Sequence, residues 1–224
     1  MTWHPESQKW ILVVSLAVER KLNFYSSANL KDWDLISVYE NPAWMDVWEC
    51  PGLVPYKAVG ESGEKNLHIL ILSRGSEFGT FDLGNFYVIG EFDGTHFKPL
   101  PDQLYSMDEL ALQRMDYGDS FYAATTNYNV DSYSFQTRDG SEVQVQSQYV
   151  VAWMGNWGFA KEVPTKPWRN AMTLFREPRV HVNSKGVHKA YFLPVYKGTL
   201  ENVVTLENPT EAEMQKLVPG PTYG

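Results

Sequence analysis

Short runs of β-branched and aromatic residues, separated by turn signals and never settling into a sustained helical period, constrain this chain more than any other feature. The runs are Trp10 to Leu16, Leu22 to Ser26, Leu67 to Ser73, Phe86 to Phe92, Phe121 to Thr126, Val143 to Met154, Ala171 to Phe175 and Lys189 to Val195. Such residues fit a pleated surface, and runs of this length between turn residues are read as strands. A helix-compatible stretch occurs only at Thr210 to Leu217. The fold class expected is therefore all-β. Ala17 to Lys21 and Asp93-Gly94 are expected to close hairpins between neighbouring strands. Spaced antiparallel hairpins suit a propeller of four-stranded blades or a sandwich, and the pattern alone does not choose between them.

A chain of 224 residues commonly forms one all-β domain. Residues 1–196 are expected to form it. The segment 197–224 loses alternation and gains Pro209, Pro219 and Pro221, so it reads as a linker or C-terminal tail. The net charge of −8, with no Lys/Arg cluster, argues against a nucleic-acid partner, because such binding rests on neutralising phosphates. No stretch approaches the roughly 20 apolar residues that span a bilayer, and the first residues have neither the basic nor the apolar region of a signal peptide. No membrane association is expected, and the localisation stays open. The single Cys50 rules out an intrachain disulfide framework.

Signatures of common catalytic classes are missing: the phosphate-binding loop, H-E-x-x-H and G-x-S-x-G do not occur. His4, His68, His96, His181 and His188 never fall at metal-ligand spacing, so neither a metal nor a cofactor is expected. The aromatic share of 14% has two readings. Trp and Tyr stack on sugars while hydrogen-bonding hydroxyls, and they are also common on pleated surfaces.

One segment carries a chemical signal, Trp48-Glu49-Cys50-Pro51-Gly52-Leu53. A carboxyl group packed among apolar neighbours loses hydration in its charged form, which suits the proton donor of a glycosidase. The plainer alternative is a partly exposed Glu at a strand end.

Context makes this segment specific. Trp48 to Leu53 matches the "W-E-C-P-D/G-L" element of glycoside hydrolase family 32, the family of invertases, levanases and inulinases. Tyr25 to Trp33 is similar to its "Y-S-S-x-N/D-L-K-x-W" segment. Gly90 to Phe97, Met115 to Ala123, Ala152 to Trp157 and Pro164 to Leu174 resemble further elements in the same order. The resemblance covers about residues 3 to 180. It implies a five-bladed β-propeller whose funnel binds a fructosyl unit, here an incomplete propeller of roughly three to four blades. It also implies a retaining glycosidase, in which one carboxylate attacks the anomeric carbon and a second protonates the leaving oxygen.

Glu49 takes the acid/base role in that resemblance, and Asp116, Tyr117, Trp48 and Trp157 are its candidate substrate-binding residues. For Asp116 the plainer reading is a turn before Gly118; for Trp157 it is a core position. Arg169 beside Trp168 reads as a structural pair as readily as a sugar contact.

The sequence departs from the family at one end: neither the nucleophile-bearing "W-M/I-N-D-P-N-G" element nor the "R-D-P" element occurs in these 224 residues. The isolated chain is therefore expected to be inactive. The rival expectation is a non-catalytic module that binds fructosides. A further one is association through an exposed blade edge. Family members are often secreted.

Overall fold

The computed structural model describes residues 1–41, 46–60, 63–75, 83–103, 113–126, 133–136, 142–145, 149–183 and 185–194. Among them are sixteen strands, no α-helix and one 3-10 turn, Pro101–Gln103. The first sheet is a four-stranded meander of β1 (Thr2–His4), β2 (Lys9–Leu16), β3 (Lys21–Ser27) and β4 (Asp34–Glu40). The second runs β5 (Val47–Gly60), β6 (Gly63–Gly75), β7 (Gly84–Phe92) and β8 (Phe97–Pro99). Its last position is shared, since β9 (Gln113–Arg114) pairs with β7 at Phe86 and Tyr87 whereas β8 pairs at Gly90 to Phe92.

The third sheet begins with β10 (Tyr122–Thr126), and an independent hairpin of β11 (Tyr133–Gln136) and β12 (Glu142–Val145) follows. The sheet continues through β13 (Val150–Met154), then β14 (Ala171–Met172) and β15 (Arg176–Val182), and ends at β16 (His188–Pro194). Every pairing is antiparallel.

These are three blades of an incomplete propeller, side by side, and their cores lie between them. Ile11, Phe24, Leu53, Leu70, Leu72 and Val88 fill the space between the first and second blades. Val54, Ile69, Ile71, Ile89, Phe121 and Val150 fill the space between the second and third. Alternation along β6 sends Leu70 and Leu72 one way and Ile69 and Ile71 the other. That is why Leu67 to Leu72 reads as an apolar run interrupted only by His68: the middle blade is covered on both faces. Both expected hairpins form. Arg20 donates its backbone N–H to the Ala17 carbonyl at 3.3 Å, and the Asp93 carboxylate accepts the N–H groups of Thr95 (2.8 Å) and His96 (2.7 Å).

Several strand expectations change. The run Val143 to Met154 contains two strands, Glu142–Val145 and Val150–Met154, and Ala171 to Phe175 is a strand only over Ala171–Met172. The tail 197–224, with its helix-compatible stretch, lies outside the described residues.

β5 is the longest strand among the described residues and coincides with none of the expected runs; Pro51, Gly52 and Pro55 interrupt its pattern. A bulge absorbs Pro51: Glu49 pairs with Ser73 and Gly52 with Ile71, so β5 carries one extra residue there. Proline is tolerated at a bulge because its missing N–H is not required by the ladder. The bulge also inverts the alternation. Trp48, counted by twos, belongs with Val54; it packs instead with Leu53 in the first core.

Candidate functional site

The leading ends of the three sheets meet at a cleft of about 250 Å³, lined by Met1, Cys50, Pro51, Gly52, Ala123, Ala124 and Thr125. The lining residues of β5 and β10 lie at two matching irregularities. β5 is bulged between Glu49 and Gly52 with Cys50 at φ 47°, and β10 is bulged between Tyr122 and Thr125 with Ala123 at φ 53°. A left-handed, non-glycine residue is uncommon, and bulges re-aim the side chains beside them. Here the two side chains immediately preceding, Glu49 and Tyr122, meet.

The Tyr122 hydroxyl donates to Glu49 Oε2 at 2.5 Å. Burial, then the hydrogen bond and the charge of Glu49, push the Tyr122 phenol well above its ordinary value, so it remains a proton donor. Gly75 makes room for this contact: a Cβ there would lie 3.1 Å from both Glu49 Oε2 and the Tyr122 oxygen. Partial burial pushes the Cys50 thiol up, a Ser73 hydrogen bond pulls it down, and the Glu49 charge pushes it up again. Ser73 in turn donates to Asn85 at 2.6 Å.

Aromatic rings lead outward from Tyr122. Trp153 lies edge-on to it at 6.2 Å, and Trp157 edge-on to Trp153 at 4.9 Å. Gly155 is required between them, since a Cβ there would fall on the Trp153 ring. Trp157 is 61% exposed, so it is not a core residue; its far end is open to solvent.

The remaining candidates scatter. Asp116 accepts from Arg176 at 2.6 Å and from the Gly118 N–H at 2.7 Å, and Arg176 lies 4.3 Å over the Phe121 ring. Asp116 thus makes the expected turn and also ties the connection between β9 and β10 to β15 of the third blade. Tyr117 is 75% exposed. Trp48 is 0% exposed and packs in the core between the first two blades, which leaves no ring face for a ligand. Arg169 donates to the Lys161 carbonyl, and Trp168 is exposed.

Sequence reasoning missed Tyr122, although Met115 to Ala123 contains it. It also missed Ser73 and Asn85, whose signal is a polar residue inside an apolar strand.

Blades set around a cleft, with a carboxylate held where an innermost strand begins, define the class: an incomplete β-propeller with an acidic site at the convergence of its leading strands. The model of the glycosyl hydrolases family 32 N-terminal domain matches residues 1–190. The chain belongs to this family.

Its relatives include an extracellular exo-inulinase of Aspergillus niger, 40% identical over 175 residues that cover 78% of this chain and 30% of that protein. An invertase of Debaryomyces hansenii is 37% identical over 175 residues, 78% of this chain and 28% of the relative. Among solved structures, the exo-inulinase of Aspergillus awamori superposes with a TM-score of 0.70 at 34% identity, covering 86% of this chain and 35% of that one. A fructofuranosidase of Schwanniomyces occidentalis complexed with fructosylnystose gives 0.66 at 28% identity, over 88% and 35%. The chain thus spans about 30% of the length of the curated relatives it matches.

Proposed function

We propose that the chain supplies the acid/base side of a retaining site for fructoside hydrolysis, with Glu49 as the group that protonates the leaving oxygen and then activates water. The observation that carries this reading is the Glu49 carboxylate, anchored by the Tyr122 hydroxyl at 2.5 Å beside the cleft. An anchored carboxyl keeps one oxygen on its partner and turns the other to the reacting bond, the geometry that general acid catalysis needs. Trp157 and Tyr117 offer open aromatic faces to a sugar, and Asp116 keeps acceptor capacity beyond its two bonds. Trp48 drops out of this proposal.

Retention also needs a nucleophilic carboxylate about 5–5.5 Å from the acid. The element that bears it in the family does not occur in these 224 residues. The chain by itself is therefore expected to bind fructosides without hydrolysing them, and the binding-module reading shares this outcome.

Two measurements separate the readings. Calorimetry with sucrose and a short fructan, paired with an assay for released sugar, is expected to show binding and no turnover; turnover would overturn the dependence on an external nucleophile. The chain joined to a nucleophile-bearing element is expected to hydrolyse sucrose, and Glu49→Gln should lower that rate at least about 10²-fold. An activated aryl fructoside, whose leaving group needs little protonation, should lose far less. Equal losses on both substrates would return Glu49 to a structural role.

A further inference from the structure

We propose that Asn85 is a positioning residue for this site, a staple that fixes the two bulges against each other and so sets the Glu49–Tyr122 contact. The proposal rests on the reading of Glu49 as the acid/base group. Asn85 stands in β7 at the head of an apolar run, Phe86-Tyr87-Val88-Ile89, and is 2% exposed. A blade strand does not need an amide there. A buried amide costs about 1–3 kcal/mol unless its hydrogen bonds are made.

Here they are made, and each leads to the site. Asn85 Oδ1 accepts from Ser73 Oγ at 2.6 Å and from the Ala124 N–H at 3.2 Å, while Nδ2 donates to the Phe121 carbonyl at 3.2 Å. The two main-chain partners fix the amide's orientation, since an N–H only donates and a carbonyl only accepts. Ala124 lies inside the β10 bulge, where regular pairing with β13 is interrupted between Tyr122 and Thr125. Asn85 bonds the strand where the ladder does not pair it regularly. On the other side Ser73 pairs with Glu49 across the β5–β6 ladder, at the edge of the β5 bulge.

The contacts close a circuit: Glu49 to its ladder partner Ser73, on to Asn85 and Ala124, along the chain to Tyr122, and back to Glu49. Its two central links, Ser73 to Asn85 and Asn85 to Ala124, run through buried groups, and among the described residues only the Asn85 amide reaches from the second blade to the main chain of both Phe121 and Ala124. Aspartate would keep the acceptor but lose the donor to Phe121 and bury a charge. Leucine, of similar shape, would leave Ser73, the Ala124 N–H and the Phe121 carbonyl without this partner.

The test reads the Tyr122 hydroxyl proton by NMR in the ligand-free chain, where a short bond to a carboxylate should give a downfield, slowly exchanging signal. Tyr122→Phe identifies it. Asn85→Ala is expected to keep the far-ultraviolet circular dichroism and to lose the signal, or to raise its exchange rate at least tenfold. A signal unchanged in position and exchange would overturn the staple, as would its absence from the wild-type chain. If Asn85→Ala does not fold, Ser73→Ala, which leaves both main-chain bonds of Asn85 intact, must produce the same loss; an unchanged signal there also overturns the proposal. No fructoside enters this measurement. A wild-type chain that shows the signal yet binds no fructoside would sink the functional reading and leave the staple standing.

Discussion

The first and second blades are built on the same antiparallel meander, yet they bury their strands differently. In the first, β2 and β3 turn Ile11, Leu22 and Phe24 toward the neighbouring blade, while Val14, Leu35 and Val38 are exposed on the sheet. In the second, Leu70 and Val88 meet the first blade and Ile69 and Ile89 meet the third, all essentially buried. The difference teaches that blade position, and not strand pairing, decides the pattern. A strand between two neighbours reads as a continuous apolar run, whereas one at the flank alternates.

The largest effect expected from this contrast is in the cores. Leu70→Ala should cost about 2–5 kcal/mol through lost burial and a residual cavity, while Val38→Ala, at a residue 45% exposed, should stay within about 0.5 kcal/mol. Denaturant titration measures both. Similar costs would mean that the flanking face is covered in solution and would break the comparison.

The next effect is pH-dependent and sits where the first two blades meet. His68 of β6 lies 5.7 Å from Phe92 and 6.4 Å from His4 of β1, ring to ring, and His4 faces Glu6 at 3.4 Å. Burial, and then the nearby His4, pull the His68 pKa down to about 4, with Glu6 opposing. Its unfolded value is about 6.5, so between pH 6.5 and about 4 the unfolded chain binds the extra proton. Stability should therefore be intact above pH 6.5 and should fall as pH drops through that window, by on the order of 3 kcal/mol from this group. His68→Leu should flatten the fall in melting temperature. An unchanged slope would show that His68 is hydrated in the folded chain.

The smallest effect concerns the rim of the middle blade. Lys65 and Glu91 are 2.6 Å apart, with both side chains about half exposed. Lys65, through its hydrogen bond and charge, holds the Glu91 carboxyl below its usual range. Exposed pairs of this kind contribute about 0.2–1 kcal/mol and are screened by salt. Glu91→Gln should lower the melting temperature slightly at low ionic strength and not at all in molar salt; a loss that survives salt would point to packing by the Glu91 stem.

Much of the fold is legible in the sequence for the reason the two blades differ. Leu67 to Ser73 and Phe86 to Phe92 are so apolar that hardly any other assignment suits them, and the turns at Ala17 to Lys21 and Asp93-Gly94 carry their own chemistry. β4, Asp34–Glu40, escapes notice because an outer strand needs little apolar content. Glu49 is legible through its neighbours in sequence. Its partner Tyr122 is not, because 73 residues separate them and only blade packing joins them. Trp48 misleads for a local reason. Adjacent strand residues face opposite ways, so an indole beside a carboxylate that faces the third blade belongs to the first.

The two bulges make chain length a variable that the blades do not sense. Beyond Gly52 the β5–β6 ladder is regular, and Glu49 already sits opposite Ser73. Deleting one of Cys50 and Pro51 would leave one residue opposite Leu72 and both pairings in place. The same deletion between Leu53 and Tyr56 would turn every upstream side chain to the wrong face. A one-residue deletion is thus compatible with the ladder at the β5 bulge, which borders the cleft, and incompatible with it along the rest of the same strand, so the wall of the opening and the sheet behind it obey different length constraints.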